Sequence, residues 1–88
     1  MVEKTFTVTD PAGIHARRAT ILIQLANKFT SDIIVEHDSR LANLKSTMGV
    51  MSLGLEKGAS FKLRVDGSDE AMAFEQLTNK IYQEKLAQ

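Results

Sequence analysis

Apolar and polar residues alternate from Val2 to Val8, with Val2, Lys4, Phe6 and Val8 opposing Glu3, Thr5 and Thr7. A period of two in a run rich in β-formers predicts a half-buried strand, stopped by Asp10-Pro11-Ala12-Gly13. After His15 the period lengthens. Ala19, Leu22, Ile23 and Ala26 recur at i, i+3, i+4 and i+7, which predicts an amphipathic helix from Ala16 to Lys28, with the Lys28 cation suited to its C-terminal dipole. Asp32 to His37 and Arg40 to Leu44 predict two strands of a hairpin around the turn pair Asp38-Ser39. Ser46 is a capping residue ahead of Met48, Val50, Met51 and Leu53, in a segment that Gly54 and Gly58 close within two helical turns. Alternation returns from Ser60 to Val65, where Phe61, Leu63 and Val65 oppose Ser60, Lys62 and Arg64. Ser68, with Asp69 and Glu70 in the next turn, opens a last helix whose predicted apolar stripe is Ala71, Phe74, Leu77 and Ile81.

The resulting order, β-α-β-β-α-β-α, predicts an α+β domain. Three helices with one apolar stripe each are all satisfied by one face of a four-stranded antiparallel sheet. A chain of 88 residues supports one modest core, so residues 1–88 are expected to form a single domain. No repeat, linker or low-complexity stretch interrupts it.

Charge and composition narrow the function. Eleven Lys and Arg balance eleven Asp and Glu, so the chain lacks the broad positive field on which direct nucleic-acid binding relies. Its sparse aromatics, four Phe and Tyr82, offer few stacking platforms. Hydrophobic residues at 43% and charged residues at 25% are globular values, no apolar run reaches membrane-spanning length, and no secretory signal is recognisable at Met1 to Thr9. Membrane insertion is therefore not expected. The absence of Cys removes disulfides, thiolate zinc sites and a cysteine nucleophile, which agrees with a cytoplasmic location. His15 and His37 lie in different elements without ligand spacing, so no metal and no cofactor is expected, and His37 reads as a hairpin-edge residue.

Two segments carry candidate chemistry. Gly13-Ile14-His15-Ala16-Arg17-Arg18-Ala19-Thr20 puts an imidazole and two guanidinium groups at a helix start, whose free N–H groups favour an anion. An imidazole with an ordinary pKa of about 6.5 is nucleophilic near neutral pH and can hold a phosphoryl group, with Arg17 steadying its oxygens. The spacing serves equally a His15 that caps the helix or meets solvent beside two surface arginines. The second segment runs Asn43-Leu44-Lys45-Ser46-Thr47-Met48-Gly49-Val50-Met51-Ser52-Leu53-Gly54. A phosphate on Ser46 would favour the helix dipole and place negative charge beside an apolar patch. Plain N-capping above core methionines fits the same residues.

Together, the two segments resemble the HPr family, the histidine-containing phosphocarriers of the bacterial sugar phosphotransferase system, in the form typical of Gram-positive bacteria. The match extends over the whole chain in length and element order. The resemblance implies an open-faced β-sandwich in which His15 accepts a phosphoryl group from enzyme I and donates it to sugar-specific enzyme IIA domains. It implies Arg17 as stabiliser of the phosphoryl oxygens and Ser46 as the target of an HPr kinase/phosphorylase. It further implies a seryl-phosphorylated form that acts as corepressor for a catabolite-control transcription factor. Thr20, Met48 and Met51 match the family's docking surface, which Ile21 and Leu25 would extend. The carrier would be a monomer and, relying on its partners for catalysis, not an enzyme. An alternative within the resemblance is a regulatory paralogue that works through Ser46 without phosphotransfer.

Two positions depart from the family pattern. Arg18 stands where the motif has Pro, and Thr47 stands where an apolar residue is common. Proline presets the first helical turn; Arg18 instead adds an N–H and a cation. That cation would bind phosphate, lower the imidazole pKa by repulsion or mispoint Arg17. The expectation is that Arg18 leaves phosphoryl acceptance intact and changes its rate.

Overall fold

The computed structural model describes all 88 residues. Its elements follow the predicted order: β1 (Val2–Thr7), α1 (Ala16–Ala26), β2 (Asp32–His37), β3 (Arg40–Asn43), α2 (Thr47–Met51), β4 (Ser60–Asp66) and α3 (Glu70–Gln83). The strands form one antiparallel sheet in the order β1-β4-β2-β3. Phe6 sits opposite Phe61, with their rings stacked at 5.4 Å, and Leu63 opposite Val35. These side chains share one buried cluster with Ala19 and Leu22 of α1, Val50 of α2, and Leu77 and Ile81 of α3. All three helices therefore cover the same face, giving the expected open-faced α+β sandwich. The other face stays polar: Arg64 bridges Glu36 at 2.9 Å and Glu3 at 3.4 Å.

The β2–β3 hairpin turns through Asp38 and Ser39 with φ of 50° and 64°, the left-handed pair whose twist matches that of the flanking strands. Several boundaries differ from the sequence reading for local reasons. Helix α1 ends at Ala26, not Lys28: the Asn27 side-chain amide donates to the Ile23 carbonyl at 2.9 Å, and Lys28 N–H tightens onto Leu25 at 3.1 Å. β3 ends at Asn43, whose side chain accepts from Lys45 N–H at 2.8 Å while its carbonyl accepts from Ser46 N–H at 2.9 Å. Val8 leaves the β1 ladder to pair with Ala87.

Helix α3 begins at Glu70 behind Asp69, not at Ser68. Asp69 caps no amide of its own helix. Its carboxylate accepts from the amides of Thr30 and Ser31, at 2.9 and 3.0 Å, and from the Ser31 hydroxyl. These donors, the Ser31 hydroxyl foremost, hold its pKa at about 2. The buried stripe of α3 is Ala73, Leu77 and Ile81; Phe74 is half-buried and Ala71 is exposed. Ala71 fails because the i, i+4 rows through Leu77 point Ala73 at the sheet and turn Ala71 away.

Candidate functional site

The loop between β1 and α1 is shaped by Gly13 and Asp10. Gly13 has φ +73°, and a Cβ there would lie 2.7 Å from the Leu55 carbonyl oxygen, so a side chain is excluded. That carbonyl accepts from Ile14 N–H at 2.8 Å, fixing the residue before His15. From the loop itself Asp10 accepts twice, at its carboxylate from Ala12 N–H (3.0 Å) and at its carbonyl from Gly13 N–H (2.8 Å). Its own N–H donates to Leu86. The chain then places His15 at the N-cap of α1 with extended backbone and no side-chain capping bond. The imidazole makes no capping bond and is exposed, so of the two alternatives, capping or meeting solvent, the side chain takes the second.

Beyond His15, the amides of Ala16, Arg17 and Arg18 donate to no backbone carbonyl, as a helix start requires. The Arg17 guanidinium is exposed and makes neither an ion pair nor a hydrogen bond within the chain. His15 also lines an open depression of about 230 Å³ with Ala12, Ile14, Met51, Gly54, Leu55 and Glu56. Met51 thus joins the two sequence motifs in one surface. A free imidazole, an uncommitted guanidinium and a helix N-terminus together suit an anion carried on, or delivered to, the ring.

Arg18 behaves differently from its neighbour. Its Nε donates to Asp10 Oδ2 at 3.0 Å, and its Nη1 reaches Glu84 Oε1 at 3.5 Å near the end of α3. The Asp10 carboxyl is held below its usual range, first by the Ala12 amide and then by the charges of Arg18 and His15. Arg18 is therefore an engaged cation, and of the two guanidinium groups at the helix start only Arg17 is free. Lys45, in the second motif, spends its ammonium on the Phe29 carbonyl at 2.7 Å.

Ser46 occupies the N-cap of α2, and its Oγ accepts from Gly49 N–H at 3.1 Å. It remains exposed. Met48 is 85% exposed and Met51 half-buried, while Val50 takes the core position. The reading of the methionines as core residues fails for Met48, whereas Met51 packs against the core from its edge and the short helix supplies one fully inward position at Val50. Thr20 is exposed on α1, its hydroxyl returning to the Ala16 carbonyl at 2.8 Å. Ile21 and Leu25 are half-buried, and Leu25 packs against the core.

A family model described as the PTS HPr component phosphorylation site matches residues 2–83. The chain belongs to the PTS-HPr family. Among solved structures, it is similar to the histidine-containing phosphocarrier protein of Mycoplasma at TM-score 0.95, with 31% identity over 99% of each chain. It is similar to HPr of Thermoanaerobacter tengcongensis at TM-score 0.89 and 41% identity, over 97% of this chain and 94% of that one. It is also 40% identical over the full length of both chains to the Bacillus subtilis catabolite-repression protein Crh, described as a swapped dimer, at TM-score 0.73.

In this HPr-family fold His37 ends β2 beside the hairpin turn, the hairpin-edge position read from the sequence. β2 is an interior strand, and the His37 ring lies against β4, with Nδ1 2.7 Å from the Ser60 carbonyl oxygen. No three His, Asp or Glu side chains gather as metal ligands, and no helix is long and apolar enough to cross a membrane. The residues that sequence reasoning missed are Asp10 and Glu84. No periodicity signals them, because they meet Arg18 only when β1, α1 and α3 converge.

Proposed function

We propose that the protein is the phosphocarrier relay of a sugar phosphotransferase system, with His15 as acceptor and donor. The observation that carries this reading is the unengaged His15 ring at the open start of α1, beside the uncommitted Arg17. A ring nitrogen lone pair forms the N–P bond as the bond from phosphorus to phosphorylated enzyme I breaks, its electron pair staying with the donor. Transfer to an enzyme IIA domain reverses these roles, the ring keeping the pair. Arg17 and the α1 amides bind the phosphoryl oxygens at both stages. Thr20, Met48 and Met51 form the adjoining docking patch, whose mix of exposed apolar area and one cation fits transient contacts made in turn.

Ser46 is the regulatory position, phosphorylated by an HPr kinase/phosphorylase. The modified form joins a catabolite-control transcription factor and is a poorer partner for enzyme I. Exposure and the absence of any side-chain donation by its hydroxyl within the chain support its accessibility. The carrier itself turns nothing over, acts as a monomer in the cytoplasm, and needs neither metal nor cofactor. Full-length similarity to Crh favours, as second reading, a regulator working through Ser46 alone.

Incubation with enzyme I and phosphoenolpyruvate, followed by intact mass and an acid-lability test, separates these. The carrier reading expects one acid-labile phosphate, absent from a folded His15→Ala variant. No gain on the folded wild type overturns it in favour of the Ser46 regulator.

A further inference from the structure

We infer that Arg18 is a positioning residue that clamps the His15 loop to the end of α3 and screens the site from the Asp10 carboxylate. The inference rests on the phosphocarrier reading for its functional consequence, but its structural half stands by itself. Asp10 and Arg18 bracket His15 in the chain, five residues before and three after, and the 3.0 Å bond between them closes the loop that carries it. Asp10 is only 7% exposed and is the hub of that loop, holding Ala12, Gly13 and Leu86 through three separate groups. The second branch, to Glu84 at 3.5 Å, ties the hub to the last turn of the molecule.

The geometry gives Arg18 two effects. Its planar fork divides between two carboxylates, which a lysine ammonium on a flexible stem matches poorly. It also pairs with the Asp10 carboxylate, a charge held on the same short loop that carries His15. Without Arg18, the dianionic phosphoryl group would approach a bare, poorly hydrated carboxylate, and the loop would lose its only side-chain tie to α1. Arg18 thus acts through Asp10, whereas Arg17 is left to meet the phosphoryl oxygens directly.

A double-mutant cycle on Arg18→Met and Asp10→Asn tests this. Asparagine keeps an acceptor for Ala12 N–H while removing the charge. In hydrogen exchange, Arg18→Met is expected to speed the Ala12 and Gly13 amides by roughly 2- to 10-fold, the range for losing one partly exposed ion pair or one ordinary hydrogen bond. With phosphorylated enzyme I as donor, Arg18→Met lowers kcat while KM stays within about twofold, and Arg18→Lys recovers part of the loss. Adding Asp10→Asn to Arg18→Met costs no further rate and restores some of it, since the unscreened charge is gone.

Unchanged exchange at Ala12 and Gly13 overturns the clamp. Additive losses of rate overturn the screening role and make Arg18 an independent phosphoryl ligand. A rise in KM alone makes it a partner contact. If the wild type takes no phosphate on His15, the carrier reading fails, and the exchange measurements still decide the clamp.

Discussion

At the scale of single residues, three basic or hydroxyl side chains of the two motifs have different environments, and environment sets what each can do. Arg17 and Arg18 are adjacent and chemically identical, yet one is free and the other is held by Asp10 and Glu84. Ser46 combines exposure with a capping bond to Gly49 N–H. That bond matters to a helix of only five residues, since so short a segment cannot sustain itself by its own ladder. Ser46→Ala is therefore expected to lower unfolding free energy by about 1 kcal/mol, and Ser46→Asp, which keeps a cap oxygen, by only a few tenths. Urea denaturation at neutral pH checks this. Equal losses in the two variants would show that the cap bond contributes little and that the serine is there for its accessibility alone.

At the scale of elements, much of the architecture was legible because burial faces repeat with each element's own period. The stripe Ala19, Leu22, Ile23 and Ala26 is the buried face of α1, and the alternation over Phe61, Leu63 and Val65 is the inner face of β4. Element ends were less legible, since they are decided by side-chain bonds such as Asn27 to Ile23 and by partners remote in sequence such as Asp69 to Ser31. The candidate site was legible to the extent that it is local: His15, Arg17 and Ser46 sit on helix caps or first turns readable from the chain. Arg18's engagement was not, because it depends on how α3 docks. The loop joining β1 to α1 depends likewise on Leu55, which no nearby pattern reveals. Gly13→Ala is expected to cost about 1–2 kcal/mol from the left-handed backbone alone, and more from pushing aside the Leu55 carbonyl that anchors Ile14. Phosphoryl acceptance by His15 should slow in the same variant. A Gly13→Ala protein of wild-type urea stability and wild-type rate would show that the loop is not held by that carbonyl.

At the scale of the whole molecule, balanced formal charge at pH 7 leaves little general repulsion there, and a few groups with shifted pKa values add their own pH dependence to the repulsion that grows in acid. Asp10, Asp69 and Glu70 all have folded pKa values below their ordinary ones, Asp69 at about 2. A carboxyl whose folded pKa is depressed contributes stability that is fully present above its unfolded value and lost as pH falls through the folded value. The Met1 amine is shifted upward, chiefly by Glu70 at 3.0 Å, so its contribution is present below its ordinary value and lost as pH rises through the folded one. Met1 and Glu70 report the same contact from two sides, which leaves Asp69 as the independent group with the widest window. Its unfolded value of 3.8 and folded value of about 2 place the loss between roughly pH 5 and pH 2. Urea midpoints measured across that range should fall steeply for the wild type and less steeply for Asp69→Asn, which starts lower at pH 7. The two curves should draw together near pH 2, where wild-type Asp69 is about half protonated and has lost most of the same interaction. A constant offset at every pH would mean that Asp69 acts by shape alone, and that its bonds to Thr30 and Ser31 owe nothing to its charge.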